Sequence, residues 1–244
     1  MTAFLFRPFR DRVEILSDGA SYTPDGILVG ISDKVRRSPH IPLAIVGSGP
    51  VPAIDALADM ILKVAEVTCS VDETIAIVSG SLAACAEAAA YDSPVRIALG
   101  GISETSGPMC WSFQTFQDDS GASFELRQSP TGFLQGEMPG VDELPALGLT
   151  LDDMLGPLEK AGPALFEYMR GRKRPSPVYP ETEPFFNIGG FLDLVTVTAD
   201  GYEQKRLVTW PDEVGRPIEP RAEEYPDGIP FDDGTLFDDG TGFE

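Results

Sequence analysis

Residues 1–37 read MTAFLFRPFRDRVEILSDGASYTPDGILVGISDKVRR, and the way their apolar runs pair decides the fold. Phe4 to Phe6 and Val13 to Leu16 have strand length, and the polar RPFRDR between them suits a hairpin turn. Ile27, Val29 and Ile31 alternate with smaller residues as a third short strand. Thr2, Asp18 and Lys34 then mark the chain start, the end of the second strand and the end of the third. With the hairpin and third strand side by side, one sheet edge gathers a hydroxyl, a carboxylate and an ammonium.

That trio has a chemistry. A threonine hydroxyl is a poor nucleophile without a base, and a free chain terminus supplies one, because an α-amine titrates near pH ~8. Threonine paired with its own amine is a known variant of the serine triad. A nearby Lys34 ammonium lowers the hydroxyl pKa, and Asp18 keeps that lysine charged and aimed. Backbone N–H groups at Gly47-Ser48-Gly49 can face the developing oxyanion. While Met1 is attached the Thr2 nitrogen is an amide without basicity, so this chemistry requires removal of Met1.

Outward from the start, Leu43 to Val46 forms a buried run, and Ile54, Leu57, Ala58, Ile61, Leu62 and Ala65 mark one stripe of a helix. A second helix opens at Asp72, read as its cap, and runs through SLAACAEAAAY, whose small side chains suit packing against the first. Strands are expected at Val95–Leu99, Cys110–Phe116, Ser123–Arg127 and Gly132–Gln135. Thr150 and Asp153 form a capping box ahead of a face built from Leu151, Met154, Leu155 and Leu158, and Pro157 and Pro163 kink or split that helix. Phe191–Thr198 and Glu203–Thr209 make a hairpin about Ala199-Asp200-Gly201. Strands, two helices, strands, helices, strands is an α+β order rather than a doubly wound one. Two antiparallel sheets with two helix pairs suit a four-layer sandwich over residues 1–215.

Residues 216–244 change character: four prolines, four glycines, nine acidic and two basic residues carry a third of the net charge of -21. Phe-Asp-Asp-Gly-Thr occurs twice in this acidic arm. Its spacing is not that of an EF-hand loop, and the arm reads either as an extended segment that docks Phe231, Phe237 and Phe243 on a neighbouring chain or as plain disorder. The strong negative charge argues against nucleic acid and anionic membranes as partners. No apolar run approaches the ~18 residues of a membrane span, which leads to the expectation of a cytoplasmic protein, or of one incorporated into a virion. Cys69, Cys85 and Cys110 sit in apolar settings that suit buried reduced thiols. The lone His40 between prolines offers no zinc site, and no metal or other cofactor is expected. The basic cluster Gly171–Pro175 reads as a solvated helix end.

Thr2, then Ser17-Asp18-Gly19-Ala20, then Asp33-Lys34-Val35-Arg36-Arg37, then Val46-Gly47-Ser48-Gly49 ahead of an amphipathic helix, resembles the proteasome β-subunit family. The likeness is greatest to the bacterial ATP-dependent ring peptidase subunit. It covers residues 2–66 well and persists more weakly to Thr209, where GGFLDLVTVTADG is similar to the family's late strand and turn. The resemblance implies an N-terminal-nucleophile αββα sandwich working as a homo-oligomer or larger assembly. It also implies Thr2 as nucleophile, its amine as base, Asp18 and Lys34 as activators, and Gly47 or Ser48 as oxyanion donor. Active members of the family carry a Ser-Gly-rich turn after the middle strands, and an acid and a hydroxyl ahead of the late Gly-Gly. Here those places read Thr131–Gln135 and Phe185–Gly190. Two readings follow: a threonine-type peptide or amide hydrolase, or a catalytically silent structural or assembly protein such as a phage virion or tail component.

Overall fold

The computed structural model describes residues 3–87, 94–117, 123–175 and 183–220, with 85–87 as helix backbone alone. The expectations for Thr2, for the Cys85 side chain and for Phe231, Phe237 and Phe243 lie outside the described residues.

The opening hairpin forms as its pattern predicts. Strand β1 (Phe4–Pro8) pairs antiparallel with β2 (Val13–Asp18), from Phe4 opposite Ser17 to Pro8 opposite Val13. The third strand differs from the expectation. Strands β3 (Ala20–Tyr22) and β4 (Leu28–Ile31) pair with each other as a separate two-stranded sheet, so the hairpin and third strand do not share one edge. A short β5 (Arg36–Arg37) and β6 (Leu43–Ser48) lead into helices α1 (Val51–Thr68) and α2 (Val71–Glu87). Strands β7 (Arg96–Ser103), β8 (Gly107–Gln114), β9 (Arg127–Ser129) and β10 (Phe133–Gln135) follow, the third of these lying just beyond the stretch expected from sequence. Helices α3 (Leu151–Leu155) and α4 (Leu158–Arg170) precede the hairpin of β11 (Phe191–Thr198) and β12 (Gly201–Thr209). The chain is thus mixed α+β, with three antiparallel sheets and four helices among the described residues.

The two larger sheets have the orders β10-β1-β2-β11-β12 and β5-β6-β7-β8-β9. Side chains alternate between faces along a strand, and the core follows that alternation. On β6, Leu43 and Ile45 pack with Leu57, Ala58 and Ile61 of α1, while Ala44 and Val46 turn the other way. There they meet Phe4 and Phe6 of β1, Val13 and Ile15 of β2, and Val195 and Val197 of β11. The opposite face of that sheet offers Leu5, Leu16, Leu192 and Leu194 to Leu158, Leu165 and Phe166 of α4. Moving any of these strands by one residue would exchange the side chains that its two faces offer to the two cores.

Helix boundaries have local causes. The capping box forms with both halves present: Asp153 N–H donates to Thr150 Oγ1, and Thr150 N–H donates to the Asp153 carboxylate. Within α3, Met154 is buried, whereas Leu151 and Leu155 face solvent, so the expected apolar face is narrower than its leucines suggest. Pro157 separates α3 from α4, and buried Glu14 accepts the first amide of α4, from Leu158, at 2.7 Å. Pro163 lies inside α4, which continues through it. Asp72 is not the cap of α2. It sits in the first turn, and Glu104 accepts the Val71 and Asp72 amides at 2.8 and 2.9 Å while Ser70 Oγ accepts that of Glu73.

Two further expectations change. Cys69 is exposed, in the left-handed conformation that ends α1, and only Cys110 among the described thiols is buried, its pKa pushed up to about 12 by that burial. The basic cluster is not a solvated end, because Arg172 is buried over the Tyr168 ring and paired with Glu143. The first residues of the acidic arm are packed: Ile218 joins Ala20 and Leu28 in a small core, and Pro217 bridges Ile27. No helix among the described residues is long and apolar enough to cross a membrane.

Candidate active site

Asp18 ends β2 with its side chain fully buried. Lys34 comes from the loop between β4 and β5, not from a strand beside the hairpin, and its Nζ donates to Asp18 Oδ1 at 3.0 Å. The carboxylate is surrounded by donors. Ala3 N–H reaches Oδ1 at 3.2 Å, while Ala20 N–H and Gly189 N–H reach Oδ2 at 3.1 and 3.4 Å. Asp18 N–H in turn donates to the Ala3 carbonyl at 3.4 Å. Three distant stretches of chain, around residues 3, 34 and 189, therefore converge on one carboxylate, and the residue after Thr2 is tied to it through both its backbone groups.

Burial dominates the protonation of the pair. It raises the Asp18 pKa from its ordinary range against the opposing pull of Lys34 and the amides, and it lowers that of Lys34 against the pull of Asp18. A lysine displaced in this direction exchanges its proton closer to neutral pH than an exposed one.

Gly47 and Ser48 close β6. The β5–β6 register pairs Arg36 with Ile45 and Arg37 with Ala44, and continuing it by two residues sets Gly47 opposite Lys34. Gly47 also has a packing reason: a Cβ there would meet Ile54 Cγ2 of α1 at 2.5 Å and Ile97 at 2.9 Å. Ser48 is buried. The structure thus brings Asp18, Lys34 and the backbone of Ala3 together, whereas Gly47 and Ser48 pair with Ile97 and Arg96 of β7.

A second buried ion pair supports the first. Arg170 holds Asp212 with two hydrogen bonds, at 2.7 and 3.0 Å, and donates to the Ile188 carbonyl at 2.6 Å. Asp212 also accepts Gly190 N–H at 2.7 Å. The turn that presents Gly189 to Asp18 is thereby clamped on both sides. Glycine is required in it: a Cβ on Gly189 would meet Asp212 Oδ2 at 2.5 Å, and Gly190 has φ +75 with Ile31 2.6 Å from any Cβ. Sequence reasoning missed Arg170, Asp212 and Asn187. The apolar setting of Asn187, between Phe186 and Ile188, was the one available signal.

No group of three or more metal-ligating side chains occurs among the described residues. No protein-family model matches the chain, and no curated protein matches it either.

Proposed function

We propose that the chain is a proteasome-like N-terminal threonine hydrolase of peptide or amide bonds, built as a four-layer αββα sandwich and active once Met1 is removed. One observation carries this reading: a lysine–aspartate pair is buried at the chain start, and the backbone of Ala3 is bonded to it. Burying two charges costs several kcal/mol per ion before their attraction offsets it, and a fold gains little from that at its terminus unless the groups act there.

In this reading the Thr2 hydroxyl adds to the substrate carbonyl carbon and its proton passes to the Thr2 amine. The leaving amine of the substrate takes that proton, and water then hydrolyses the acyl-threonine ester. Lys34 stabilises the forming alkoxide, Asp18 positions Lys34, and the Gly47 or Ser48 N–H supports the oxyanion. The homo-oligomer or larger assembly expected from the resemblance belongs to the same proposal, and sedimentation of the purified protein measures it.

Intact mass and covalent labelling test the reading together. Loss of about 131 Da, one methionine residue, with attachment of a peptide vinyl sulfone at Thr2 is the expected result. Protein that lacks Met1 and stays unlabelled overturns it. A silent structural or assembly role, for example in a phage virion or tail, is the second reading. It is favoured by Phe185–Ile188, which supply neither the carboxylate nor the hydroxyl of active family members.

A further inference from the structure

Helix α1 is apolar on two sides. Leu57, Ala58, Ile61 and Ala65 are buried and pack with Leu43 and Ile45 of β6, as the outer helix of a layered fold requires. The opposite side, which such a helix usually fills with charge, carries Ala56, Met60, Val64 and Val67 at steps of four, four and three residues. Val67 is 84% exposed, and with Ile77 of α2 these residues line a surface groove of about 620 Å³. Contiguous apolar surface rimmed by charged residues marks an interaction site.

The charges beside the groove say what covers it. Asp59 and Lys63 both line it, both are exposed, and among the described residues neither has an ion-pair partner. They have opposite sign and stand one helical turn apart on one face. A twofold contact presents the same patch from both sides, so each charge must meet its opposite within that patch. Two antiparallel α1 helices crossing at the level of Ile61 satisfy this. Asp59 of each copy comes opposite Lys63 of the other, and Val67 comes toward Ala56, whose small side chain leaves room. A chain of net charge -21 repels its own copies over most of its surface, whereas the two charges of this groove cancel.

We infer that the groove between α1 and α2 is a self-association surface, on which a second copy of this chain seats its own α1 in antiparallel orientation. Two reciprocal Asp59–Lys63 ion pairs hold the contact around an apolar seam of Met60, Val64 and Val67. The inference rests on the hydrolase reading only in giving a surface to the assembly expected there, and the contact itself requires no cleavage.

Sedimentation of the full-length chain across a concentration series is the test. Wild-type protein is expected to self-associate reversibly, with monomer at the dilute end. Val67→Glu, at an exposed position, is expected to abolish association while thermal unfolding of the dilute protein stays unchanged. Asp59→Lys and Lys63→Asp each turn two symmetric pairs repulsive and weaken association about tenfold. The variant carrying both exchanges returns to wild-type affinity, because the pairs re-form with reversed sign. Wild-type protein that sediments as a monomer throughout, or a double exchange that associates no better than its single variants, overturns the inference. Vinyl sulfone labelling of Thr2 on the same preparations keeps the two readings apart. Protein that lacks Met1, stays unlabelled and still passes the exchange test loses the hydrolase reading alone, and labelled protein that fails the exchange test loses this surface alone.

Discussion

Two buried ion pairs lie within a few residues of each other in space, and they are made from different cations. Arg170 grips Asp212 through both carboxylate oxygens, and a guanidinium stays charged at any pH the protein meets. Lys34 meets Asp18 through a single ammonium whose pKa burial has already lowered. The arginine pair fixes the turn of Ile188 to Gly190, and the lysine pair is the one able to change its charge. A fixed cation holds the turn and a titratable one lies beside Ala3, and the proposed hydrolase would use the second.

The strongest challenge to this comparison is Lys34→Met. Vinyl sulfone labelling at Thr2 is expected to fall by about 10²–10⁴-fold, the usual range for a group acting in proton transfer, and labelling at the wild-type rate would reduce the pair to a structural one. Asp212→Ala tests the other side. It strands a buried guanidinium, so urea denaturation is expected to show a loss of about 3–5 kcal/mol, whereas an unchanged midpoint would mean that water reaches Arg170.

The pH dependence separates the pairs more finely. The folded Lys34 pKa lies below 10.5, so the folded protein releases this proton before the unfolded chain does, and the lysine's contribution to stability grows as pH rises toward 10.5. Asp18 has the opposite sign: its folded pKa lies above 3.8, and stability declines as pH climbs from there through the folded value. The stability difference between wild type and Lys34→Met, read by urea denaturation across that range, should therefore widen in favour of wild type toward pH 10.5. The smallest effect is expected far from both pairs, where Thr150→Ala removes the capping box at a cost of about 1 kcal/mol and leaves labelling unchanged.

Much of the scaffold was legible because alternation along a strand reports which face is buried. Phe4, Phe6, Val13 and Ile15 against Leu5 and Leu16 announce a sheet with two covered faces, and the Thr150–Asp153 pair announces a helix start. Alternation does not name the neighbouring strand. For that reason β4 was expected beside the hairpin when it closes a small sheet with β3, and Lys34 reaches Asp18 from a loop. The contact of Asp18 with Lys34 was expected from strands lying side by side and from the family resemblance, and it forms by another route. Its clamp was not, because Arg170 stands beside a run that reads as solvated and Asp212 lies 42 residues further on. Asn187 carries no charge, and its burial shows only in the folded chain.

The order of strands in the first sheet has a consequence for synthesis. β1 waits for β10, near the middle of the chain, and β2 for β11, in its last quarter, so the β2 edge of the earliest hairpin is the one that stays open longest during synthesis. At about 5–20 residues per second, the roughly 170 residues between β2 and β11 take on the order of 10–35 s to translate. During that interval the β2 edge has no strand beside it, and β11 closes it in register from Leu192 opposite Asp18 to Val197 opposite Val13.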